Sequence, residues 1–409
     1  MVSLAMLAIM AGCAVFLFLK GTIALGIVIL FNAIVAGFAA LGFFEPAATM
    51  LIKYSPGLAV WAPMICFLLL FVLVFAILQA VVMQIAKGKV DFGKLPEQIG
   101  RPIVGILLGY VITGHLLIAA AMAPIPSQFP YPRFDQRNPN PSSPSKALLN
   151  PDGFVAGLFG TVSTGSLSPF GEPKSFAMLH AGFVDHLYLN RLGGKDVSLR
   201  TETPAITVPA KNGVWEAPEN LRDSENKPVS SQAGKSLMLV HVEIRKAALK
   251  DAAKFTLGQF RLVCGPKTGT THPLGAKGKA VYPAGYIGSN SRLETKSLAE
   301  VISIDPAKVT GESLAIDLAF QIPTDRIPVL IEFKRNNVAK VSAPASPEDA
   351  PQLTPFGATT AKPQAETQSE PPAEQSAEPN KTPAPDRQKQ GSARSKITRH
   401  ITGGADEEN

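Results

Sequence analysis

The chain has very few cysteines, and their positions exclude the structures that depend on them. Only Cys13, Cys66 and Cys264 are present, and no two of them form a Cys-x-x-Cys pair. A disulfide framework and a zinc site built from paired cysteines are therefore excluded. We expect Cys13 and Cys66 to act as small apolar side chains, because both lie inside apolar segments.

Clustered positive charge is also missing. The chain carries 39 Lys and Arg against 32 Asp and Glu, a formal net charge of +7, but the basic residues are scattered. No run of them is interleaved with aromatic residues as a nucleic-acid-binding face requires, so we expect no nucleic-acid partner. No basic residue precedes the first apolar run, which is therefore predicted to be a retained helix and not a secretory signal.

Long apolar runs, by contrast, are concentrated in the first third of the chain. Each can form a helix long enough to cross a hydrocarbon core of about 30 Å. The four runs are Ser3–Leu19, Thr22–Phe44, Leu58–Ile85 and Pro102–Pro124. Glu45-Pro46 is predicted to end the second helix, and Pro102 is expected in the first turn of the fourth. The sequence thus predicts a domain of four transmembrane helices over residues 1–126.

The loops between these runs predict an orientation. The link before the fourth run carries four basic residues, whereas the link between the second and third runs has only Lys53. The basic residues of the former link are Lys87, Lys89, Lys94 and Arg101. Positive residues favour the cytoplasmic side, so we expect a multi-pass protein of the cytoplasmic (inner) membrane with an extracytoplasmic C-terminal region.

Polar side chains within the apolar runs are few, and none is a paired charge. They are Asn32, Gln79, Gln84 and His115. Such groups are candidates for function in a membrane helix, and a channel or transport component lined by them is one hypothesis. An active transporter is disfavoured because it would need acidic or basic residues facing a cavity. For His115 we favour a hydrogen bond across helices over titration near neutral pH.

Two segments, Phe18–Gly26 and Gly100–Gly109, carry a family resemblance. The first is a glycine-bracketed turn with the basic residue Lys20, and the second is a glycine-rich start of the fourth helix. Together with the four-helix layout they resemble the colicin V production protein family over residues 1–126. The resemblance implies an inner-membrane protein linked to toxin production or export and to envelope homeostasis, without catalytic residues or cofactors.

The region after the helices begins with a predicted extended linker, residues 127–145, and a mixed segment, residues 146–233. His180, Asp185 and His186 in the mixed segment could be metal ligands, but six residues separate the histidines and place them on different helix faces. We favour surface or core histidines there. Ser163 misses the spacing of a nucleophile elbow by one residue, so a serine hydrolase is not supported.

Residues 234–342 alternate large apolar residues with small or polar ones, which is typical of half-buried strands. The six strand candidates are Met238–Arg245, Phe255–Cys264, Lys279–Ile287, Ser297–Ile304, Leu314–Ile322 and Val329–Lys334. Turn residues separate them, so the pattern predicts a β-sandwich domain. Cys264 and His272 are close enough in sequence for a metal site, but a buried cysteine and an exposed loop histidine are favoured.

The order of these strands resembles the immunoglobulin-like modules of bacterial surface proteins. The likeness rests on a long first strand, a strand that ends in Cys264, the turn Tyr282-Pro283 and the Gly-Glu-Ser run before Phe320. Residues 343–409 consist largely of Pro, Ala, Glu, Gln, Ser and Thr and are predicted to be a disordered tail.

The fold class expected from the sequence is therefore a helical membrane bundle followed by an outer, mostly β domain and a disordered tail. The leading hypothesis is a non-enzymatic membrane protein without cofactor or metal, whose outer domain binds or scaffolds other membrane or envelope proteins. A homo-oligomer, a channel and an envelope enzyme with a site in residues 146–233 stay open as alternatives.

Overall fold

The computed structural model describes residues 2–85, 92–164, 175–267 and 273–357. Four long helices come first: α1 (Val2–Lys20), α2 (Ile23–Tyr54), α3 (Ala62–Ile85) and α4 (Lys94–Met122). All four are long and apolar enough to cross a membrane. The predicted layout of four apolar helices followed by a β-rich region is confirmed.

The predicted end of α2 is wrong. The helix passes through Glu45-Pro46 and continues ten residues further than Phe44, to Tyr54. Thr49 Oγ1 donates to the Glu45 carbonyl at 2.9 Å, and Ala48 packs in one cluster with Ala62 and Cys66 of α3. Burial against the neighbouring helix therefore keeps this segment helical beyond the proline.

The predicted start of α4 is also wrong, because the helix begins at Lys94 and Pro102 lies inside it. Glu97 explains the extension: its Oε2 accepts from the Ile23 backbone N–H at 3.0 Å and from Arg101 Nε at 2.6 Å. The bond to Ile23 joins the first turn of α4 to the first turn of α2, where backbone N–H groups lack helical partners, and the bond to Arg101 lies within α4.

Glycines allow α4 to approach α1 closely. A Cβ added at Gly105 would lie 2.5 Å from Ala14 Cα, and one added at Gly109 would lie 2.6 Å from Met10 Cα. Small residues at helix contacts have this effect in membranes, where van der Waals packing drives association. The α1–α4 pair is therefore built on these two positions.

Three short helices follow: α5 (Pro151–Ser163), α6 (Phe176–Leu179) and α7 (Phe183–Leu189). Their apolar side chains share one buried cluster with the ends of α1, α2 and α4, including Phe44 and Met122. Met178 and Ala181 pack on the opposite side against Val263 and Leu330 of the β region. The α5–α7 layer thus lies between the long helices and the sheets.

The β region also contains a fourth short helix, α8 (Leu249–Ala252). Its strands are β1 (Ile206–Thr207), β2 (Val214–Glu216), β3 (Lys235–Arg245), β4 (Lys254–Thr256), β5 (Phe260–Pro266), β6 (Lys279–Val281), β7 (Gly285–Ile287), β8 (Leu293–Glu294), β9 (Val301–Ser303), β10 (Ser313–Pro323), β11 (Arg326–Phe333) and β12 (Asn337–Lys340).

The strands form two main antiparallel sheets. One has the order β1-β3-β10-β7-β8 with β2 beside β3, and the other has the order β12-β11-β5-β6. Side chains from both sheets, among them Val240, Leu318, Phe260 and Ile331, form one buried core. A short pair, β4-β9, stands apart from them. The likeness to immunoglobulin modules stays a prediction.

Strand β10 was expected to be half-buried, but both of its faces are covered. Asp317 and Ala319, on the face predicted to be polar, are both fully buried. Trp215 and Leu221 pack over this face, together with Ala345 and Leu353 from the segment that follows the last strand. A second layer of irregular chain therefore covers the sheet.

Two segments predicted to be unpacked contribute to the fold. Residues 127–145 contain no helix or strand, yet Tyr131, Arg133 and Phe134 are buried, so the segment is not a free linker. Residues 343–357 pack on the sheet: Phe356 donates its N–H to Ile287 and its ring lies 5.2 Å from that of Tyr286. The rest of the predicted tail, residues 358–409, lies outside the described residues.

The glycine contact between α1 and α4 generates a stability prediction. Gly109→Val should lower the stability of the protein in detergent by about 1–3 kcal/mol, because the added side chain meets the α1 backbone. Gly12→Val is the matched control, since a Cβ there has nothing within 4 Å. The measurement is thermal unfolding followed by tryptophan fluorescence, and equal midpoints for the two variants would contradict the packing argument.

Candidate functional site

Charged and aromatic side chains meet where the α5–α7 layer contacts the extension of α2. His180 follows α6, and its ring centroid lies 4.7 Å from that of Phe176 and 6.2 Å from that of Phe44. His180 Nε2 lies 3.5 Å from Glu45 Oε2. Glu45 lies beside His180 because α2 continues as a helix past Phe44.

Two arginines from distant parts of the chain lie near Glu45. Arg200 precedes β1, and Arg335 lies in the turn between β11 and β12. Arg335 Nη1 donates to the Met122 carbonyl at the end of α4, at 3.5 Å. Burial lowers the pKa of Arg335 to about 10, and the charge of Arg200 acts in the same direction. The two guanidinium groups are thus close enough to repel one another.

Beneath these groups lies a buried ion pair between neighbouring strands. Arg261 of β5 is bonded through Nη2 to Glu332 of β11, and Nη2 also donates to the Leu179 carbonyl at 2.8 Å. Arg261 Nη1 donates to the Ala181 carbonyl. The Glu332 carboxylate also lies 3.8 Å from His186 Nδ1. Burial, followed by the charge of Arg261, holds the pKa of His186 well below its usual value, so the imidazole is neutral.

A cleft of about 910 Å3 opens beside this cluster; we call it the junction cleft. One wall is the hairpin formed by the end of α2 and the start of α3, and it is mostly apolar. That wall contains Ala48, Ile52, Pro56, Ala59, Val60 and Pro63. The other wall belongs to the β region and is mostly polar. Its residues include Arg200, Glu202, Thr203, Lys250, Asp251 and Arg335.

A second polar network holds the segment after α4 against the α5–α7 layer. Arg133 Nε donates to Asp185 Oδ1 at 2.6 Å, and Arg133 Nη1 donates to the Tyr131 hydroxyl at 2.6 Å. Tyr131 in turn donates to Asp152 Oδ2 at 2.5 Å. Arg191 lies 4.7 Å over the Tyr188 ring and donates to the carbonyls of Ile125 and Phe129. These bonds give the segment one fixed path.

The polar residues singled out within the apolar runs are not gathered in one place. Asn32 Nδ2 donates to Gln79 Oε1 at 3.2 Å across the α2–α3 contact. Gln84 is exposed near the end of α3. The hypothesis of a channel lined by these groups therefore gains no support from their placement and stays a prediction.

His115 lies apart from those amides, in an aromatic pocket. Its Nδ1 donates to the Val111 carbonyl at 2.8 Å, and its ring stacks on Phe71 at 4.8 Å. A Cβ at Gly37 would lie only 1.7 Å from His115 Nε2, so the glycine makes room for the ring. The bond across helices that the sequence favoured for His115 is therefore wrong, because its hydrogen bond lies within its own helix.

The structure describes two of the four basic residues in the predicted cytoplasmic loop. Lys87 and Lys89 lie outside the described residues. Lys94 is the first residue of α4, and Arg101 is paired with Glu97. Lys20 ends α1 at the same end of the bundle, because Ile23 at the start of α2 is bonded to Glu97.

The three candidate metal ligands of the mixed segment have separate partners. His180 contacts Glu45, Asp185 is bonded to Arg133, and His186 faces Glu332. No group of three or more His, Cys, Asp or Glu suited to a metal ion occurs in the described part of the chain. These side chains therefore form contacts between layers.

Ser163 and Cys264 also have structural surroundings. Ser163 Oγ donates to the Gly160 carbonyl at 2.9 Å and accepts from the Ala177 N–H at 3.2 Å, so it joins α5 to α6. Cys264 is fully buried in β5, and burial raises the pKa of its thiol to about 12. His272, considered as its partner, lies outside the described residues.

Sequence reasoning identified His180 and His186 but missed the cluster to which they belong. Glu45 was interpreted as a helix end, and nothing in the sequence linked it to Arg200 or Arg335, which are 155 and 290 positions away. The one sequence signal for this cluster was Glu45, an acidic residue in an otherwise apolar stretch.

Comparison of the chain with family models, with curated proteins and with solved structures finds no match. The class of protein is therefore defined by the fold: four helices long and apolar enough to cross a membrane, with a large β-rich region beside them. This is the arrangement of a multi-pass membrane protein.

The buried pair generates a prediction. Arg261→Leu should destabilise the protein by about 3–5 kcal/mol, because it leaves the Glu332 carboxylate and two backbone carbonyls buried without a donor. In the double variant Arg261→Leu/Glu332→Leu the unpaired charge is gone, so it should be more stable than the single variant. Denaturant unfolding measures both variants, and a double variant no more stable than Arg261→Leu would contradict the pairing.

The lowered pKa of His186 predicts a dependence on pH. The unfolded imidazole takes up a proton near pH 6.5, whereas the folded one does not, so stability falls as the pH drops below about 6.5. The groups around His186 are Arg261, Arg335, His180 and Glu332. Thermal midpoints measured between pH 8 and pH 5 should fall less in His186→Gln than in the unmodified protein.

At pH 8 the imidazole is neutral in both states, which provides the reference for that comparison. Trp215, which is buried in the β region, reports the unfolding. Should the Gln variant be poorly folded, His186→Leu offers the same comparison. Parallel curves for the unmodified protein and a folded variant would show that His186 does not contribute.

Proposed function

We propose that the protein is a non-enzymatic inner-membrane protein whose outer domain presents a binding or scaffolding surface at a fixed position above the bilayer. The observation that carries this proposal is the continuous packing from the long helices through the α5–α7 layer to the sheets. A domain joined in this way keeps its orientation relative to the membrane. Such an arrangement suits recognition of a partner at the membrane surface.

The polar contacts at the junction support the same conclusion. Arg335 bonds to the end of α4, Arg191 bonds to the chain just after it, and the Arg133 network joins this segment to α7. A mobile domain on a flexible linker would not need buried arginines at its attachment. The proposal therefore treats residues 127–145 as a structural connection.

The distribution of charge supports an extracytoplasmic outer domain. Lys20, Lys94 and Arg101 belong to the end of the bundle opposite the β region. The end on the β-region side has Lys53 near the α2–α3 hairpin, and Arg133 follows α4. Since positive residues favour the cytoplasmic side, this distribution favours a β region outside the cell membrane.

The resemblance of residues 1–126 to the colicin V production protein family is compatible with this proposal and stays a prediction. The link to toxin production or export and to envelope homeostasis rests on that resemblance alone. An envelope enzyme in residues 146–233 was the alternative, and its candidate residues His180, Asp185 and His186 have separate structural partners.

Cysteine labelling in intact cells tests the placement. In a chain with the three native cysteines changed to Ala, Lys308→Cys should react with a membrane-impermeant maleimide, because this lysine is 85 % exposed on the β region. Lys94→Cys should react only after the cells are permeabilised. The reverse pattern would contradict the proposed orientation.

Activity assays test the non-enzymatic role. The purified full-length protein should not turn over ester, peptide or glycan substrates. Enzyme-like turnover that is lost in His180→Gln but kept in Arg222→Gln, an exposed arginine outside the junction cleft, would replace the binding role by an enzymatic one.

A further inference from the structure

The junction cleft contains two guanidinium groups with unused hydrogen-bond donors. Each arginine carries five N–H donors. Within the described ranges the Arg200 guanidinium makes no hydrogen bond and has the Glu45 carboxylate as a charged neighbour, and Arg335 makes only the 3.5 Å bond to the Met122 carbonyl. Paired guanidiniums with free donors are the usual means of binding a phosphate or carboxylate group.

The backbone that holds Arg335 is unfavourable for an arginine. Lys334 and Arg335 have φ angles of +48° and +63°, in the left-handed region where Gly or Asn is the usual residue. The buried Lys334 Nζ donates to the carbonyls of Asp251 and Lys254, which fixes the turn. Side chains retained in such conformations are concentrated at functional sites.

The charges at the base of the cleft leave an excess of positive charge. The charged groups that line this part of the cleft are the guanidiniums of Arg200 and Arg335 and the carboxylates of Glu45 and Glu332. Glu332 is committed to Arg261. Lys250, Asp251 and Glu202 contribute to the cleft wall as well, with one positive and two negative charges. An anion is therefore complementary to the base, and a polar or cationic group to the rim.

The opposite wall has the chemistry of a hydrocarbon-binding surface. The α2–α3 hairpin extends about 15 Å past Phe44, as ten helical residues do, and its cleft-facing side is lined by Ala48, Ile52, Ala59 and Val60. Arg335 contacts Met122 at the end of α4, so the guanidiniums lie at the level where the apolar helix stops. This is the level of lipid head groups when α4 spans a membrane.

We propose that the junction cleft takes up one glycerophospholipid from the bilayer, with its phosphate between Arg200 and Arg335 and its acyl chains against the α2–α3 hairpin, above the level at which α4 ends. This inference rests on the proposed placement of the helices in a membrane. The cysteine labelling described above tests that placement independently, so the two ideas can fail separately.

Native mass spectrometry of the full-length protein in detergent tests the site. The protein should retain one added phosphatidylglycerol or phosphatidylethanolamine at low micromolar concentration, and diacylglycerol, which lacks the phosphate, should be retained at least tenfold less. Inorganic phosphate should not compete at millimolar concentration. Competition by phosphate would identify a soluble anion as the ligand and overturn the lipid assignment, as would equal retention of diacylglycerol.

Two variants should weaken phospholipid retention by about tenfold or more, the effect of losing a charge-assisted hydrogen bond. They are Arg200→Gln and Arg335→Asn, with the exposed Arg222→Gln as the matched control. Asn tolerates the left-handed backbone, so Arg335→Asn should keep or raise the thermal midpoint while it lowers lipid retention. Unchanged retention in both folded variants would overturn the proposal.

Ala59→Glu tests the apolar wall separately. A carboxylate on the hairpin side of the cleft should reduce phospholipid retention by a similar factor through repulsion of the phosphate and the acyl chains. Gly57→Glu, on the same hairpin at a glycine with open space around it, is the control. Equal retention in the two glutamate variants would exclude the hairpin as part of the site.

Discussion

The buried guanidinium of Arg261 is the interaction on which the arrangement of layers depends. It is paired with Glu332 on the neighbouring strand and bonded to the carbonyls of Leu179 and Ala181, so one side chain joins β5, β11 and the α6–α7 connection. Removing a charged group from water is costly, and the cost is offset only when every partner is in place. The sheet and the helical layer are therefore held in one fixed position relative to each other.

The α5–α7 layer transmits this constraint to the membrane helices. Phe176 and Phe183 on one side pack with Phe44 of α2, while Met178 on the other side packs with Val263 of β5. Because both faces of the layer are buried, the β region cannot rotate against the helices without exposing apolar surface. The junction cleft exists because the α2–α3 hairpin projects beside a domain fixed in this way.

Particular elements show how far the sequence could predict the fold. The four apolar helices and the long strands β3, β10 and β11 follow from local composition and period. The end of α2 could not be predicted, because contact with α3 outweighs the local effect of Pro46. For β10, the covering of its polar face by Trp215 and by residues 343–357 is a long-range contact that no alternation of residues reveals.

The candidate site, like the fold, could be predicted from the sequence only in part. The membrane helices follow from composition alone, because a run of some twenty apolar residues has few other stable environments than lipid. Composition also identified His180 and His186 as candidate metal ligands. The surroundings of the two histidines depend on long-range packing. Glu45, Arg200 and Arg335 meet because separate layers pack together, and contacts over such separations depend on the free energy of the whole fold and not on any local pattern.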